Sequence, residues 1–406
     1  MAREVWITGI GLTSSLGEGL DAHWQALAET ANPKPNVDLA FTPPFGIHPL
    51  VRLDLDKQIP KKSDQRQMEP WQRLGTYAAG LALSDAGIAG NLDILSHTHA
   101  VVAADGGERD VPTDTAILDG LPTAANPASY LNEHLSNDLR PTLFLAQLPN
   151  LVAGNISIVH KVTGSSRTFM GEEIAGASAM EIAWRRIGAG QGDIFLIGGA
   201  CLAERKDSIL NCALGGALWA GDYLPVWERL EKGGGAMLGS VGAFLVLEAH
   251  EHAEARGAKP YARLLAVETD QSRRTPGDVA AKLGRQFDAI TPQDAASVSV
   301  LSAATGVAQA TREERDLLMQ LIADGRVDTV RATGSMLGAA TSATFPAAAA
   351  LAGLALARRG FYRPVDATGF ETPREGAPAR IVITSAGLWR GEGSALIAAV
   401  DGETRQ

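Results

Sequence analysis

Residues 164–200 read GSSRTFMGEEIAGASAMEIAWRRIGAGQGDIFLIGGA, and this stretch decides the fold. It predicts a bend, then a helix rich in small residues, then a buried strand. Apolar residues recur at the three-and-four spacing of one helix face: Ile174, Ala177, Met180, Ala183 and Ile187. Gly190 ends the helix, and residues 194–197 form a continuous apolar run before Gly198 and Gly199, which is typical of a strand covered on both faces.

The start of this helix indicates a site. Acyl-transferring enzymes often hold a nucleophile at such a bend, because the helix dipole and the free N–H groups stabilise an anion there. Here the bend reads Gly171, Glu172 and Glu173, without a thiol or an activated hydroxyl. Adjacent carboxylates point in different directions, so we expect only one of them at the apex.

Composition limits the possible functions. With 406 residues and 45% hydrophobic content, the chain can bury a large core, enough for two domains or one of double size. The formal charge of −10 argues against a nucleic-acid partner. The longest apolar run, 345–357, is too short to span a membrane. Two cysteines and no recognisable secretion signal favour a cytoplasmic location.

Strands and helices alternate along the whole chain. Strands are predicted at 5–12, 99–105, 194–197, 241–248, 260–269, 297–302, 380–385 and 395–400. Helices are predicted at 19–29, 70–87, 148–161, 174–187, 250–257, 276–290, 312–324 and 338–357, while 32–49 reads as irregular. This pattern predicts two domains, 1–253 and 254–406, each with a largely parallel, helix-covered sheet.

Several segments in the same order resemble the β-ketoacyl-acyl carrier protein synthases, the condensing enzymes of the thiolase-like fold. They are DQRQMEPWQRLG with ALSDAGI at 64–88, NLVAG at 150–154, residues 176–200, and WERLEKGGGAMLGSVGAFLVLE at 227–248. The resemblance implies an α/β thiolase-like fold, in which two similar α/β halves with helix-covered mixed sheets are layered α-β-α-β-α. It covers nearly the whole chain but does not by itself decide the chemistry.

Active members of that family use a cysteine, two histidines and a lysine. By the resemblance, Glu173 stands at the cysteine position. Residues 301–305 (LSAAT) put Ala303 at the first histidine, and residues 330–335 (VRATGS) put Val330 at the lysine and Ser335 at the second histidine. With all four groups replaced, we expect no Claisen condensation, because the nucleophile and both carbonyl donors are missing.

A loop near the C-terminus also departs from the family. Where the family has Gly-Phe-Gly-Gly, this chain has Gly387, Leu388, Trp389 and Arg390. Two flexible glycines are replaced by large side chains, so we expect less motion in this gating loop.

The resemblance then implies a chain-length-factor-like partner of an active ketosynthase, acting with acyl carrier protein in fatty acid or polyketide (polyene) synthesis. Trp184, Met180 and the 388–389 pair are candidates for bounding the acyl tunnel, although plain packing explains them as well. Two alternatives stay open: altered chemistry at Glu173, such as decarboxylation of malonyl-carrier protein, and a carrier-binding scaffold that docks through Lys61, Lys62 and Arg66.

The remaining reactive side chains predict no further chemistry. Cys201 and Cys212 follow the strand and are expected to be ordinary thiols away from the bend. The histidine pairs 97/99 and 250/252 lack further ligands at metal-binding spacing, so we expect no metal and no cofactor.

Overall fold

The computed structural model describes residues 2–292 and 296–400. Its strands are β1 (Val5–Ser14), β2 (Gly17–Glu18), β3 (Asp38–Thr42), β4 (Phe45–His48), β5 (His99–Ala103), β6 (Ser166–Phe169), β7 (Ile194–Cys201), β8 (Leu238–Gly239), β9 (Val241–Ala249), β10 (Ala262–Asp270), β11 (Val298–Ser302), β12 (Val327–Ala332), β13 (Arg380–Ala386) and β14 (Glu392–Ala398).

The helices of the amino-terminal part are α1 (Leu20–Trp24), α2 (Lys62–Gln67), α3 (Pro70–Asp85), α4 (Leu92–His97), α5 (Val111–Gly120), α6 (Pro127–Asn137), α7 (Leu143–Gln147), α8 (Leu151–His160), α9 (Glu172–Gly188), α10 (Lys206–Leu214), α11 (Val226–Glu231) and α12 (His250–Ala255). The carboxy-terminal part has α13 (Asp278–Ile290), α14 (Ala308–Ala323), α15 (Gly334–Leu337) and α16 (Thr344–Ala357). A π-helical turn, Gln25–Glu29, extends α1, and 3₁₀ turns occupy Leu55–Lys57, Leu121–Thr123 and Thr341–Ala343.

The main sheet contains the same five-strand pattern twice. In the first half the order is β1-β9-β7-β5-β6, and in the second it is β10-β14-β13-β11-β12. In each half the first two pairings are antiparallel and the last two are parallel. A short antiparallel contact between β1 and β10 joins the halves. The two halves are therefore similar, as the sequence predicts.

Two helices lie at corresponding places between the half-sheets. α9 packs on β10, β7 and β5, α16 packs on β9 and β13, and the two helices contact each other. Gly176 allows their close approach, since a Cβ there would lie 2.6 Å from the Pro346 ring. α3 and α8 cover the outer face of one half, and α13 and α14 that of the other. The layered α-β-α-β-α arrangement is confirmed.

Several sequence predictions were wrong in detail. The sheets are mixed, as the resemblance implies, and not largely parallel, as the alternation of strands and helices alone predicts, because β9 and β14 run antiparallel to both neighbours. Residues 32–49 contain β3 and β4, which form a small sheet with β8. The final buried helix begins at Thr344 rather than at 338, because a 3₁₀ turn precedes it. The strand β6 was not predicted at all. The domain boundary near residue 253 stays a prediction.

Among the described residues, no helix is both long enough and apolar enough to cross a membrane.

Candidate functional site

Glu173 is buried in the first turn of α9. The preceding Gly171 has a φ of 135°, a backbone conformation that suits glycine and that turns the chain sharply into the helix. The Glu173 side chain is 1% exposed, and its Oε1 accepts a hydrogen bond from the Leu388 N–H at 3.0 Å. The predicted nucleophile position is thus joined to the loop that is 215 residues away in sequence. The side chain of Glu172 lies outside what the structure describes.

The other three predicted positions are buried, and none of them carries an acidic or basic side chain. Ala303 is 1% exposed and directly follows β11, and its N–H donates to the Thr384 carbonyl at 2.7 Å. Val330, in β12, packs in an apolar cluster with Val300. Ser335, in α15, is buried, and its Oγ accepts a hydrogen bond from the Val226 N–H at 3.0 Å.

These positions belong to neighbouring strands. β12 and β13 run parallel to β11 on either side, so Ala303, α15 and the 387–391 loop all follow the carboxyl ends of adjacent strands. This edge is where α/β sheets usually place their sites. A hydrogen bond of 2.9 Å from the Thr333 N–H to the Ser302 carbonyl ties two of these strand ends together.

The 387–391 loop is fixed from two sides. Besides the bond to Glu173, the Arg274 guanidinium donates to the carbonyl of Gly387 at 2.9 Å and to that of Gly391 at 3.3 Å. Leu388 is 4% exposed and packs in an apolar cluster with Ala203, Leu238 and Ala339.

The two remaining loop residues point outward. Trp389 lies against Gly215, where even a methyl group would collide with its ring, and Arg390 is exposed. The contacts hold the loop in one place, and its reduced motion stays a prediction.

A cavity of about 450 Å³ borders the bend. Its lining includes Met170 and Gly171 of the bend, Asp105 and Thr341, and the face of α10. The Thr341 hydroxyl donates to Asp105 Oδ2 at 2.6 Å, and the Ser342 N–H donates to Oδ1 at 3.2 Å. Burial, only partly offset by these hydrogen bonds, raises the pKa of Asp105. Sequence reasoning missed Asp105, Thr341 and Arg274, since single polar residues in loops give no periodic signal.

Both cysteines line this cavity, so the expectation that they lie away from the bend was wrong. Burial and the neighbouring Asp105 raise the pKa of the Cys201 thiol well above its usual value. A protonated thiol is a poor nucleophile, so this environment disfavours a nucleophilic role for Cys201.

Two of the tunnel candidates, Met180 and Trp184, pack in or against the core. Met180 is fully buried in the central cluster, and Trp184 packs against the same cluster beneath the Arg185 guanidinium. Neither side chain lines the 450 Å³ cavity.

The predicted histidine pairs are not arranged as metal sites. His252 Nδ1 lies 2.7 Å from Glu248, and His250 Nε2 lies 3.0 Å from Glu254. His97 bonds to the Asp93 carbonyl of its own helix, and His99 bonds to Ser165. In residues 2–292 and 296–400, no three metal-ligating side chains come together.

The predicted docking residues lie exposed on α2 and at the residue just before it. Lys61 and Arg66 are exposed, while the Lys62 Nζ forms an ion pair with Asp56 at 2.5 Å. A hydrogen bond from Lys62 lowers the pKa of Asp56, which shows that part of this positive charge is already compensated.

The fold and the site define a ketosynthase-type protein of the thiolase-like fold. The family model for the N-terminal domain of β-ketoacyl synthase matches residues 2–253. The chain therefore belongs to the β-ketoacyl synthase family.

Two curated relatives are similar over part of their length. The 3-oxoacyl-[acyl-carrier-protein] synthase 2 of Rhizobium meliloti (strain 1021) is 28% identical over 281 residues, which cover 65% of this chain and 63% of the relative. The synthase 2 of Vibrio cholerae serotype O1 is 26% identical over 270 residues, covering 65% and 62%. The chain thus matches less than two thirds of the length of these relatives.

Solved structures match the whole chain. The ishigamide ketosynthase/chain length factor superposes with a TM-score of 0.77 at 20% identity and covers 99% of this chain and 100% of its own. A β-ketoacyl synthase from Burkholderia phymatum STM815 gives a TM-score of 0.77 at 18% identity with the same coverage. At these identities the likeness concerns the fold alone.

Proposed function

We propose that this chain is a non-condensing, chain-length-factor-like subunit that pairs with an active ketosynthase in fatty acid or polyketide synthesis. The observation that supports it most is Glu173: the residue at the nucleophile position is a buried carboxylate side chain hydrogen-bonded to Leu388. We place this pair in the cytoplasm, working with acyl carrier protein.

The chemistry at the other positions agrees with this proposal. Ala303 has no polar side-chain atom, and the Ser335 hydroxyl already accepts the Val226 N–H. Decarboxylation of a malonyl thioester needs donors for the developing enolate oxygen, and losing one such donor costs about 100- to 1,000-fold in rate. If the partner subunit performs the condensation, we expect this chain to keep the family fold without keeping these donors.

An open sheet edge supports a partner chain. β6 pairs with β5 on one side, and no strand of the described residues pairs with its other side. The corresponding edge strand of the second half, β12, is covered by the chain itself: Glu371 Oε1 accepts the Ala332 N–H at 2.8 Å, and the Thr372 carbonyl accepts the Thr329 hydroxyl at 2.8 Å. Proteins usually protect such edges, so β6 is a natural place for a second chain.

Exposed apolar side chains are concentrated in the part of the chain that contains β6. Nine of the thirteen large apolar side chains that are exposed in residues 2–292 and 296–400 fall between 118 and 214. They are Leu118, Leu131, Leu135, Phe144, Leu148, Ile158, Met170, Leu210 and Leu214. Four of them, Leu118, Leu131, Leu135 and Leu210, line one groove of about 510 Å³. Clustered exposed apolar groups mark interaction surfaces.

The pairing can be tested by co-expression with a ketosynthase that has the cysteine and both histidines. We expect a complex of one copy of each chain by light scattering, and chain elongation that requires both. Leu118 is 67% exposed, so its burial would contribute about 1–2 kcal/mol, and Leu118→Asp should weaken pairing by tenfold or more. Leu92 is 65% exposed on α4, outside this cluster, so Leu92→Asp is the matched control.

Two results would contradict the proposal. One is that this chain forms a stable assembly by itself and that the ketosynthase makes the same product whether or not this chain is present. The other is carbon dioxide release from malonyl-carrier protein by this chain alone that Glu173→Ala abolishes, which would favour the decarboxylase alternative.

Carrier docking remains part of the proposal for Lys61, Lys62 and Arg66. Reversal of charge at the exposed Lys61 and Arg66 should weaken carrier binding and reduce its salt dependence. Because Lys62 is already paired with Asp56, its reversal should have the smaller effect. Binding that is unchanged in all three variants would exclude this surface.

A further inference from the structure

Residues 111–140, here called the arm, contain α5 and α6 and have little hydrophobic core. Both helices lie wholly within the described residues; α5 has one buried side chain, Ile117, and α6 has none. The two helices pack mainly on each other and on the 3₁₀ turn between them. Elements with few buried apolar contacts open locally at a low cost in free energy. The polar contacts at the two ends of the arm therefore decide how firmly it is attached.

Both ends of the arm are tied down near the start of α3. At the end that follows β5, the Glu108 N–H donates to the Ala146 carbonyl at 3.2 Å. At the other end, the Arg140 guanidinium pairs with the Glu69 carboxylate at 2.7 Å. Glu69 is the residue just before α3, and the Glu108 side chain also reaches it. The two carboxyl groups therefore lie where the arm meets the rest of the chain.

Glu108 and Glu69 face each other without a donor between them. Their side chains are within hydrogen-bonding reach, and no group of the described residues donates to the buried Oε1 of Glu108. Glu69 already accepts hydrogen bonds from the Gln72 N–H and from Arg140. Two carboxylates in contact cannot both be ionised without a large cost, so the pair holds one proton. That proton belongs on Glu108, which has no cation of its own.

Further charged groups face Glu108 from the elements packed around it. They are Glu69 before α3, Arg109 and Asp110 before α5, Arg140 before α7, Arg205 before α10, and Asp207 in α10. The arginines are already paired, since Arg109 lies 2.6 Å from Asp114, Arg140 lies 2.7 Å from Glu69 and Arg205 lies 2.7 Å from Asp207. Burial raises the pKa of Glu108 to about 7; the charge of Arg205 opposes this change and the charge of Glu69 adds to it.

We propose that Glu69 and Glu108 form a pH-sensitive latch for the arm. While the pair holds its proton, the hydrogen bond between the two carboxyl groups keeps the arm against the start of α3. When the proton is lost to solvent, the two negative charges repel each other and the arm opens more often. Leu118, Leu131 and Leu135 are on the arm and line the groove of about 510 Å³, so the latch also sets the shape of that groove. Its use in controlling pairing rests on the proposed function, whereas the latch itself does not.

The direction of the effect follows from the proton affinities of the closed and open arm. A glutamate in water has a pKa near 4.5, so above that pH the closed arm binds more protons than the open arm. Closure therefore weakens as the pH rises from about 4.5 to about 7, and the effect levels off above that range. Because Glu108 is half-buried and water moderates the repulsion, we expect opening to increase by about tenfold between about pH 5 and pH 8.

Residue-resolved hydrogen exchange of the full chain by itself measures this opening, with each rate divided by the intrinsic rate at the same pH. Amides of α5 and α6 should open about tenfold more often at the higher pH, while those of β7 should not accelerate. Glu108→Gln stays neutral and can still donate to Glu69, so it should keep the arm closed and abolish the pH dependence. Asp119→Asn removes a charge from an exposed position of α5 outside the pair, and it should behave as the wild type does.

Three results would overturn the latch: opening of the arm that does not change with pH in the wild type, equal acceleration in β7, or a pH dependence that survives in Glu108→Gln. If Glu108→Gln does not fold, a ¹³C NMR titration of the glutamate carboxyl groups in the wild type decides, and a Glu108 that titrates near pH 4.5 would reject the proposal. No ketosynthase takes part in these measurements. A latch without pairing would therefore reject only the proposed function, and pairing without the pH dependence only this inference.

Discussion

The hydrogen bond between Glu173 and Leu388 allows a direct perturbation of the site. In a Glu173→Ala variant, the buried Leu388 N–H loses an acceptor that lies 3.0 Å away, and no water can reach it easily, since Leu388 is 4% exposed. We expect the 387–391 loop to open more often, while the sheet that supports it stays intact.

The size of the effect follows from the burial. Leaving a buried donor without its partner costs about 1–3 kcal/mol. If this cost falls on the local opening of the loop, hydrogen exchange at the Leu388 amide should accelerate by about 5- to 150-fold. Glu173→Gln keeps an oxygen at the same place, so its exchange should remain near that of the wild type.

Residue-resolved hydrogen exchange measures this opening. Glu181→Ala is the control for effects on the helix itself, because Glu181 is on α9 and pairs with Arg185 at 2.8 Å. The reasoning would be refuted if the Leu388 amide exchanged equally fast in the wild type and in Glu173→Ala. If the two proteins exchanged equally fast only when a partner ketosynthase is bound, pairing and not Glu173 would fix the loop.

Three further predictions follow from the site and the core. Arg274→Ala removes the donors to Gly387 and Gly391 and should also speed exchange across the loop, whereas exchange limited to the Arg274 neighbourhood would contradict this. Glu173→Cys should give a thiol but no condensation product from acyl and malonyl carrier proteins, because in the proposed assignment Ala303 and Ser335 stand at the two histidine positions; measurable product would contradict the proposed function. Burial lowers the pKa of His23 to about 4 and that of His48 to about 3. Below about pH 6.5 the unfolded chain therefore binds more protons than the folded chain. As the pH decreases from there, the free energy of unfolding should fall by up to about 1.4 kcal/mol per pH unit for each histidine. Urea unfolding at pH 7 and pH 5 should show a smaller loss in His48→Gln than in the wild type, and equal losses would contradict this assignment.

Much of the fold could be predicted because long segments repeat one simple pattern. The three-and-four spacing of α9 reflects one buried helix face, and the continuous apolar run of β7 reflects a strand buried along almost its whole length. β6 escaped prediction because it has only four residues, two of them exposed, so neither alternation nor burial marks it. The antiparallel direction of β9 could not be read from its sequence either, since a strand buried on both faces shows the same apolar run in either direction.

The sequence proposes a position for the candidate site but does not give its contacts. Glu173 is assigned to the nucleophile position by its distance from recognisable segments, and its hydrogen-bond partner is far away along the chain. Asp105 and Thr341 are separated by 236 residues and meet only because β5 and the turn before α16 end at the same place. Contacts of this kind depend on the packing of the two halves, which no local sequence pattern encodes.

The contact at Gly176 also determines how this gene can be recombined. A methyl group on Gly176 would lie 2.6 Å from the Pro346 ring and 2.7 Å from the Ser342 carbonyl, so the two central helices fit only as a matched pair. A chimera that joins residues 1–253 of this chain to the second half of a relative should fold only when the incoming helix brings a turn of the same shape. Recombination that exchanges both central helices together avoids this restriction and offers a route to hybrid subunits.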